Sequence, residues 1–250
     1  MAFIGNGTQL TDLDAGDITT GTVAPARLGS GTPGSGNFLR GDGTWQAAGG
    51  DNGRGQVFTS SGTFTVPAGT TAVKVTTIGG GGSGGSMSPP RGTGGGGGGG
   101  IAIKFVSGLT PGSTVSVTVG GVGGTSSFGT HCSANGGGNV GFNSTGGGGG
   151  GNGSGGDINI PGSAGGGGGF TQNDNYFGSS SMSFGSGGST NYGTSFYGRP
   201  GAGLGTGSNG AYGFDGNPGQ GFGAGGSGSG GNNASRTGGA GTSGLVIVEW

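Results

Sequence analysis

Long runs of glycine interrupt a pattern of β-strands in this chain, and they constrain its fold more than any other feature. Residues 94–100 are seven consecutive glycines that lead directly into the apolar segment IAIKFV. Glycine loses more backbone entropy on folding than any other residue, so an isolated run of this kind is normally a flexible linker. Similar glycine-rich tracts recur along the chain, at residues 79–85, 92–100, 136–156, 162–169 and 198–244.

Two features of the tracts favour ordered elements over linkers. They continue strand-like segments on both sides, as in VTTIGGGG and GGGGIAIKFV, and they enclose short segments that are richer in other residues. Extended glycine can adopt polyglycine II, a left-handed helix with three residues per turn and a rise of about 3.1 Å. Its outward-facing amides are satisfied when several such helices pack side by side. We therefore expect a packed bundle of glycine-rich left-handed helices.

The apolar residues between the tracts alternate with a period of two, which indicates β-strands. This alternation predicts shared faces for Phe64 and Val66, for Val73 and Val75, for Ile101, Ile103 and Phe105, and for Val115, Val117 and Val119. GLTPGST carries a Pro-Gly pair, typical of a type II turn, and predicts a hairpin between its flanking strands. GLVIVEW is apolar on both faces and predicts a central strand.

The predicted fold is mainly β and has no α-helical core. A small sheet or sandwich, with strands at about residues 56–134 and 245–249, is extended by the polyglycine bundle within a domain of residues 51–250. Residues 1–50 contain less glycine and only sparse apolar residues. Because this segment has too little apolar content to bury a core alone, we expect a thin fibre segment that associates with other copies of the chain.

Charge and cysteine content exclude several classes of function. Eight basic and nine acidic residues give a net charge of −1, which does not favour nucleic-acid binding. Cys132 is the single cysteine, and His131 beside it has no acidic neighbour, so we predict no metal, no cofactor and no catalytic residue. No apolar run has the length that spans a bilayer, and the scattered carboxylates predict no glycosidase pair.

Two parts of the sequence resemble bacteriophage tail-fibre proteins. ARLGSGTPGSGNFLRGDGTW (residues 26–45) is similar to a segment common in those proteins, and FLRGDGTW within it is intact. The segments FTVPAGTTAVKVTTIGGGGSGG and GTSGLVIVEW resemble the glycine-rich domain at the ends of phage tail fibres and related adhesins. The resemblance implies a non-enzymatic receptor-binding tip of a virion fibre. It also implies a homotrimer through residues 1–50, which meet other tail proteins, and a host outer-membrane protein or glycan as receptor.

Alternation of strands and tracts predicts that the segments between tracts lie together at one end, far from the sheet. Those segments are SMSPPR (86–91), NVGFNST (139–145), residues 170–197 and NNASR (232–236). Aromatic rings on Ser-, Gly- and Asn-rich loops offer rigid contact area with adaptable hydrogen bonding. The candidate receptor contacts are Met87, Pro89, Arg91, Phe142, Phe170, Tyr176, Phe177, Phe184, Tyr192, Phe196 and Tyr197. The alternative is that these rings pack beneath the loops as a small core.

Two other functions remain open from the sequence. The chain could be a structural fibre or virion decoration without receptor specificity. It could also be a glycine-rich ice-binding protein, although that class predicts a regular Gly-X-X array with a flat Thr/Ala face, and these tracts are irregular. The integrin-like tripeptide at residues 40–42 belongs to the fibre-like FLRGDGTW element, which explains it without a further receptor.

Overall fold

This computed structural model describes the chain in segments and divides it into two units, Met1–Asp51 and Asn52–Trp250. The described residues are 28–32, 37–47, 55–89, 91–171, 181–183, 187, 198–199, 201, 207–208, 213–231 and 234–250. In the first unit, β1 (Asn37–Leu39) and β2 (Trp45–Ala47) form an antiparallel hairpin. Ser30 forms a parallel bridge to Thr44 beside it.

The second unit is built from β-strands, and none of its described residues is helical. Its longer strands are β3 (Gly55–Phe58), β4 (Gly62–Thr65), β5 (Ala72–Ile78), β7 (Ile101–Ser107), β8 (Thr114–Thr118) and β19 (Leu245–Glu249). Shorter strands are β6 (Arg91–Gly92), β9 (Ser126–Phe128), β10 (Cys132–Ala134), β11 (Gly153–Ser154), β12 (Ile158–Ile160), β13 (Gly169–Thr171), β14 (Ser181–Ser183), β15 (Gly198–Arg199), β16 (Gly207–Ser208), β17 (Gln220–Gly221) and β18 (Gly230–Gly231).

Two five-stranded antiparallel sheets pack face to face as a sandwich. The first sheet has the order β12-β7-β5-β19-β3, and the second has the order β11-β10-β9-β8-β4. The core between them takes side chains from both sheets, among them Val75 and Val248 from the first and Phe64 and Phe128 from the second. The rings of Phe64 and Phe128 lie 5.8 Å apart. Burial of each such side chain contributes about 1.5–3 kcal/mol, so this sandwich is the apolar core of the unit.

The predicted alternation is confirmed, except that Phe105 on β7 is exposed. Val73 and Val75 are buried on β5, and the terminal strand β19 is paired on both sides, with β5 and β3, as expected of a central strand. On β7, the sandwich core receives Ala102 and Val106. Ile101, Ile103 and Phe105 share the opposite face, as predicted, where Ile101 and Ile103 are buried in a second apolar cluster and Phe105 is 69% exposed. Since this strand is apolar on both faces, its alternation does not identify the inner one.

The predicted hairpin around GLTPGST is also wrong, although its turn is confirmed. Ser113 N donates to Thr110 O at 3.0 Å, and Gly112 has φ +82°, the left-handed conformation that a type II turn requires at its third position. However, β7 pairs with β5 and β12, whereas β8 pairs with β4 and β9. The turn therefore carries the chain from one sheet to the other instead of joining adjacent strands.

The glycine tracts leave the first sheet together at one edge. Ile78 pairs with both Leu245 and Ile101, and Ile101 pairs with Ile160, so these four residues form one row across the sheet. Residues 79–86 follow Ile78, residues 92–100 precede Ile101, and the other two strands join tracts in the same way. Because neighbouring strands are antiparallel, tracts that leave and tracts that return lie side by side.

Hydrogen bonds of the tract 92–100 repeat every three residues. The N–H groups of residues 94, 97 and 100 donate to residues 135–144, those of 95 and 98 donate to residues 163–166, and those of 96 and 99 donate to residues 223–226. Carbonyl groups of the same tract accept from residues 79–85 and from residues 148–151. The amides thus point to successive neighbours around the axis, which is the three-residue repeat of polyglycine II. The predicted packed bundle is confirmed.

Candidate functional site

The far end of the bundle, away from the sheets, brings together three loops that are distant in sequence. Met87 N donates to Arg236 O at 2.9 Å, and Arg236 N donates to Met87 O at 3.0 Å. Asn143 N donates to Ser86 O at 2.8 Å, while its side-chain oxygen accepts from Ser88 N at 2.7 Å. The segments 86–89, 140–145 and 234–236 therefore meet, and we call this surface the distal end.

Two further strand pairs border the distal end. β18 pairs with β6, with Gly231 opposite Arg91, and β13 and β14 both lie against β6. Phe214 forms an antiparallel bridge to Gly230 on the neighbouring side. Short strands at the ends of the glycine tracts thus lie next to the converging loops.

A buried polar cluster fastens the distal end from below. Thr93 and Ser229 are buried, and the Thr93 hydroxyl accepts from Ser229 N at 2.9 Å and donates to Gly85 O at 2.5 Å. The Ser229 hydroxyl also donates to Gly85 O, at 2.9 Å. Buried hydroxyls without partners would be costly, so these bonds fix the three tracts against one another where the loops begin.

Asn143 holds its loop in an unusual conformation. Its φ is +60°, which makes it the one described non-glycine residue in the left-handed region. Asparagine tolerates this region better than most residues because its short side chain can hydrogen-bond locally. Here the side chain bonds to Ser88 of a different loop. Asn143 therefore combines a strained backbone with a contact between two loops. The local sequence Asn-Ser-Thr at residues 143–145 does not predict this combination.

The predicted contact residues fall into four groups, one of which lies outside the described residues. Phe142 is 63% exposed at the distal end, and Pro89 is half-buried there. Met87 is fully buried, so its side chain packs inside the domain and offers no surface to a receptor. Arg91 and Phe170 are described by their strands alone, with Phe170 opposite Met182. The predicted aromatics outside the described residues are Tyr176, Phe177, Phe184, Tyr192, Phe196 and Tyr197.

Side chains in and beside the distal end include some that the sequence signalled weakly. Phe214 is 46% exposed, and Asp215 beside it accepts from Thr237 N at 2.8 Å. The Nε atom of Arg236 is buried and has no hydrogen-bond partner among the described residues. An aromatic ring in GAYGFDGNPG was a visible signal, whereas the position of Arg236 depends on contacts with Met87 far away in sequence.

The described segments do not assemble a metal-binding group of side chains. No three His, Cys, Asp or Glu residues within them are arranged to hold a metal ion. Cys132 is buried in the sandwich core, and burial raises the pKa of its thiol, which disfavours the reactive thiolate. No described helix is long and apolar enough to cross a membrane.

The tripeptide at residues 40–42 forms a turn at the end of the β1–β2 hairpin. Gly43 N donates to Arg40 O at 3.0 Å, and Asp42 accepts from the hydroxyl of Thr44 at 2.6 Å and from its N–H at 3.0 Å. Those bonds lower the pKa of Asp42. The carboxylate therefore closes its own turn, which gives the tripeptide a structural role.

Comparison with known families places the second unit. A family model described as a glycine-rich domain matches residues 58–250, which contain both sheets except the first residues of β3, and the whole bundle. The chain belongs to this glycine-rich domain family. A comparison with curated proteins finds no match. The tracts of this glycine-rich domain consist mostly of glycine. The distal end is the surface where the segments between the tracts present other side chains.

Proposed function

We propose that this chain is a bacteriophage tail-fibre adhesin that attaches to a receptor on the surface of its bacterial host. One observation carries the proposal: three loops from separate parts of the glycine-rich domain converge at the distal end, each held by backbone hydrogen bonds. Binding surfaces are commonly loops positioned by a rigid scaffold. Here the tracts are the scaffold and the loops supply the variable chemistry.

The chemistry of the distal end suits recognition better than catalysis. Phe142 and Phe214 expose aromatic rings, and serine, asparagine and arginine side chains lie beside them. Exposed rings with adaptable polar neighbours can pack against a protein or stack on a sugar. The proposed receptor is accordingly an outer-membrane protein or a surface glycan, and no chemical step is proposed.

The opposite end of the glycine-rich domain suits attachment to a fibre. The first described residue of this unit is Gly55, which pairs with Glu249 at the end of the first sheet away from the bundle. In the first unit, Leu28 is 47% exposed and Leu39 is 39% exposed, and so small a unit cannot bury such residues alone. We propose that residues 1–50 assemble as a homotrimer and join other tail proteins in the virion.

Binding of purified full-length protein to bacterial envelope preparations tests the proposal. We expect saturable binding to envelopes of a susceptible host, and we expect Phe142→Ala to weaken it about tenfold, as loss of an aromatic contact at a binding centre commonly does. A second variant, with alanine at Tyr176, Phe177, Tyr192 and Tyr197, tests the remaining predicted ring positions.

Val122→Ala is the matched control, because Val122 is 45% exposed but follows Gly121 near the sheet end of the bundle. Circular dichroism checks that each variant is folded. Unchanged binding by both aromatic variants would reject the distal end as the contact surface. Absence of binding across a broad panel of envelopes would instead favour a structural fibre without receptor specificity.

A further inference from the structure

The outer face of the first sheet, opposite the sandwich core, carries apolar residues at four of the five positions of one cross-strand row. Val57 pairs with Ile247, Ile247 with Thr76, Thr76 with Ile103, and Ile103 with Ile158. Residues at the two ends of this row are open to solvent, with Val57 59% exposed and Ile158 54% exposed, whereas Thr76 and Ile103 between them are buried. A sheet that faces water on one side normally carries polar residues there, so this row departs from the pattern of a solvated face.

On the same face, two residues further along each strand, a second row adds an aromatic ring and an ion pair. Phe105, next to Lys74 in the register, is 69% exposed, the largest fraction among the exposed large apolar side chains of the described residues. Lys74 Nζ lies 2.9 Å from Glu249 Oε2, and both side chains are nearly half-exposed. Val57, Lys74, Phe105, Ile158, Ile247 and Glu249 are called the outer patch here. A shallow depression of about 570 Å³ is lined by all of these residues except Ile158.

We propose that the outer patch is an interface between copies of this chain. A contiguous apolar surface rimmed by charged groups is typical of a protein-protein contact. The partner must present apolar side chains together with one cation and one anion at matching positions. The outer patch itself meets these requirements, since Lys74 of one copy can pair with Glu249 of the next while Phe105 and Ile158 are removed from water.

Two properties of the chain favour a second copy as the occupant. The net charge is −1, so copies repel one another little. Gly55, close in sequence to the entry of the chain into the second unit at Asn52, lines the depression. If copies are joined through residues 1–50, as the proposed function has it, this entry point tethers their outer patches at a high effective concentration. This step rests on the proposed self-association of residues 1–50, whereas the apolar row and the ion pair do not depend on it.

Photo-crosslinking of the purified full-length chain tests the interface directly. Phe105 is replaced by the photoreactive p-benzoylphenylalanine, which suits an exposed ring position, and the products are separated by mass. We expect covalent products that contain two or more chains. The same replacement at Phe142, 63% exposed at the distal end, is the matched control and is expected to give none. No product between chains from position 105 in a folded protein overturns the proposal, as does equal yield from both positions.

Charge reversal separates an interface from a pair that acts within one chain. In the crosslinking background, Lys74→Glu leaves two acidic side chains on the patch, and Glu249→Lys leaves two basic ones. Each variant alone should crosslink about fivefold less, since an attraction becomes a repulsion. An equal mixture of the two variants should restore the yield through mixed products. Failure of the mixture to recover overturns the exchange of charges between copies.

Light-scattering mass distinguishes this proposal from the proposed function. The photoreactive probe is moved to Val57, and the double variant Phe105→Ser, Ile158→Ser is made in that background. If this variant keeps the mass of the wild-type assembly but no longer crosslinks, the patch is a contact within an assembly held by residues 1–50. If the wild-type protein has the mass of one chain at low concentration and the chain with the probe alone still crosslinks, the patch is supported and the trimer is rejected. A variant that still crosslinks at the wild-type yield would reject the patch alone.

Discussion

Gly97 and Gly149 lie on adjacent tracts, yet the surroundings of their Cα atoms differ completely. A Cβ built on Gly97 would overlap the carbonyl oxygen of Gly149, whereas a Cβ built on Gly149 meets nothing within 4 Å. Many glycines of the bundle resemble Gly97, because carbonyl groups of neighbouring tracts occupy the space of a side chain. At those positions glycine is required by close backbone approach, and at Gly149 it is not.

We therefore predict opposite effects of the same substitution at the two positions. Gly97→Ala should destabilise the domain by about 1–3 kcal/mol or more, since backbones must separate to admit a methyl group. Gly149→Ala should leave the stability unchanged or raise it by up to about 1 kcal/mol, because alanine restricts the unfolded chain. Thermal unfolding followed by circular dichroism measures both. Equal melting temperatures for Gly97→Ala and the wild type would show that the tract behaves as a linker.

Individual side chains mark the limit of prediction from this sequence. Phe64, Val75 and Val117 alternate with polar residues, and their burial was predicted correctly. Phe105 was assigned to the buried face because it alternates with Ile101 and Ile103, but what packs against that face is not encoded in its own strand. Met87 resembled an exposed loop residue, but its side chain is fully buried, and no local pattern predicts that burial.

At the scale of elements, the tract 92–100 is held by bonds that a linker could not make. Each N–H from residue 94 to residue 100 donates to a carbonyl of another segment, at 2.8–3.0 Å. The residues themselves are buried from 92 to 100. The rate at which a backbone amide exchanges its hydrogen with solvent depends on its hydrogen bond and on the free energy of opening that bond. The hydrogen bonds of the tract can therefore be tested by amide exchange.

Amide hydrogen exchange should therefore find the glycine tract as protected as a strand. We expect residues 94–100 to exchange at least about a hundredfold more slowly than Gly69, an exposed turn glycine. Their rates should approach those of β7, into which the tract continues. Exchange at the rate of the turn glycine would mean that the bonds of the bundle are not maintained in solution.

Elements could be predicted where one physical requirement decides the outcome. Seven glycines next to a strand must either remain unstructured or satisfy their amides with other tracts, and the repeated tracts pointed to the second. Connectivity was harder. The Pro-Gly turn at residues 111–112 was correctly assigned from its composition, yet a turn of the same chemistry can join neighbours in a sheet or cross between sheets. That choice depends on distant strands, here β4 and β9 beside β8.

For the molecule as a whole, charge contributes little to the fold. In the described part of the second unit, the ion pairs are Lys74–Glu249 at 2.9 Å and Lys104–Asp157 at 3.7 Å. Their carboxylate side chains are 48% and 52% exposed, and exposed pairs of this kind contribute about 0–1 kcal/mol each. Backbone hydrogen bonds and the sandwich core carry the remaining stability.

Stability should accordingly be almost independent of ionic strength. Sodium chloride at about 1 M screens exposed charges to a Debye length of about 3 Å, and we expect the free energy of unfolding to change by less than about 1 kcal/mol. Urea unfolding at low and high salt measures it, because urea is uncharged. A large loss of stability in salt would reveal an electrostatic contribution outside the described residues.

The three-residue repeat of the hydrogen bonds means that the bundle has a reading frame. One extra glycine in the tract 92–100 would turn every later amide by a third of a revolution, toward a neighbour whose carbonyl is already occupied. Three extra glycines would restore the direction and move the loops about 9 Å further from the sheet. Evolution can therefore lengthen this domain in triplets across all its tracts, while the loops at its distal end diverge without disturbing the frame.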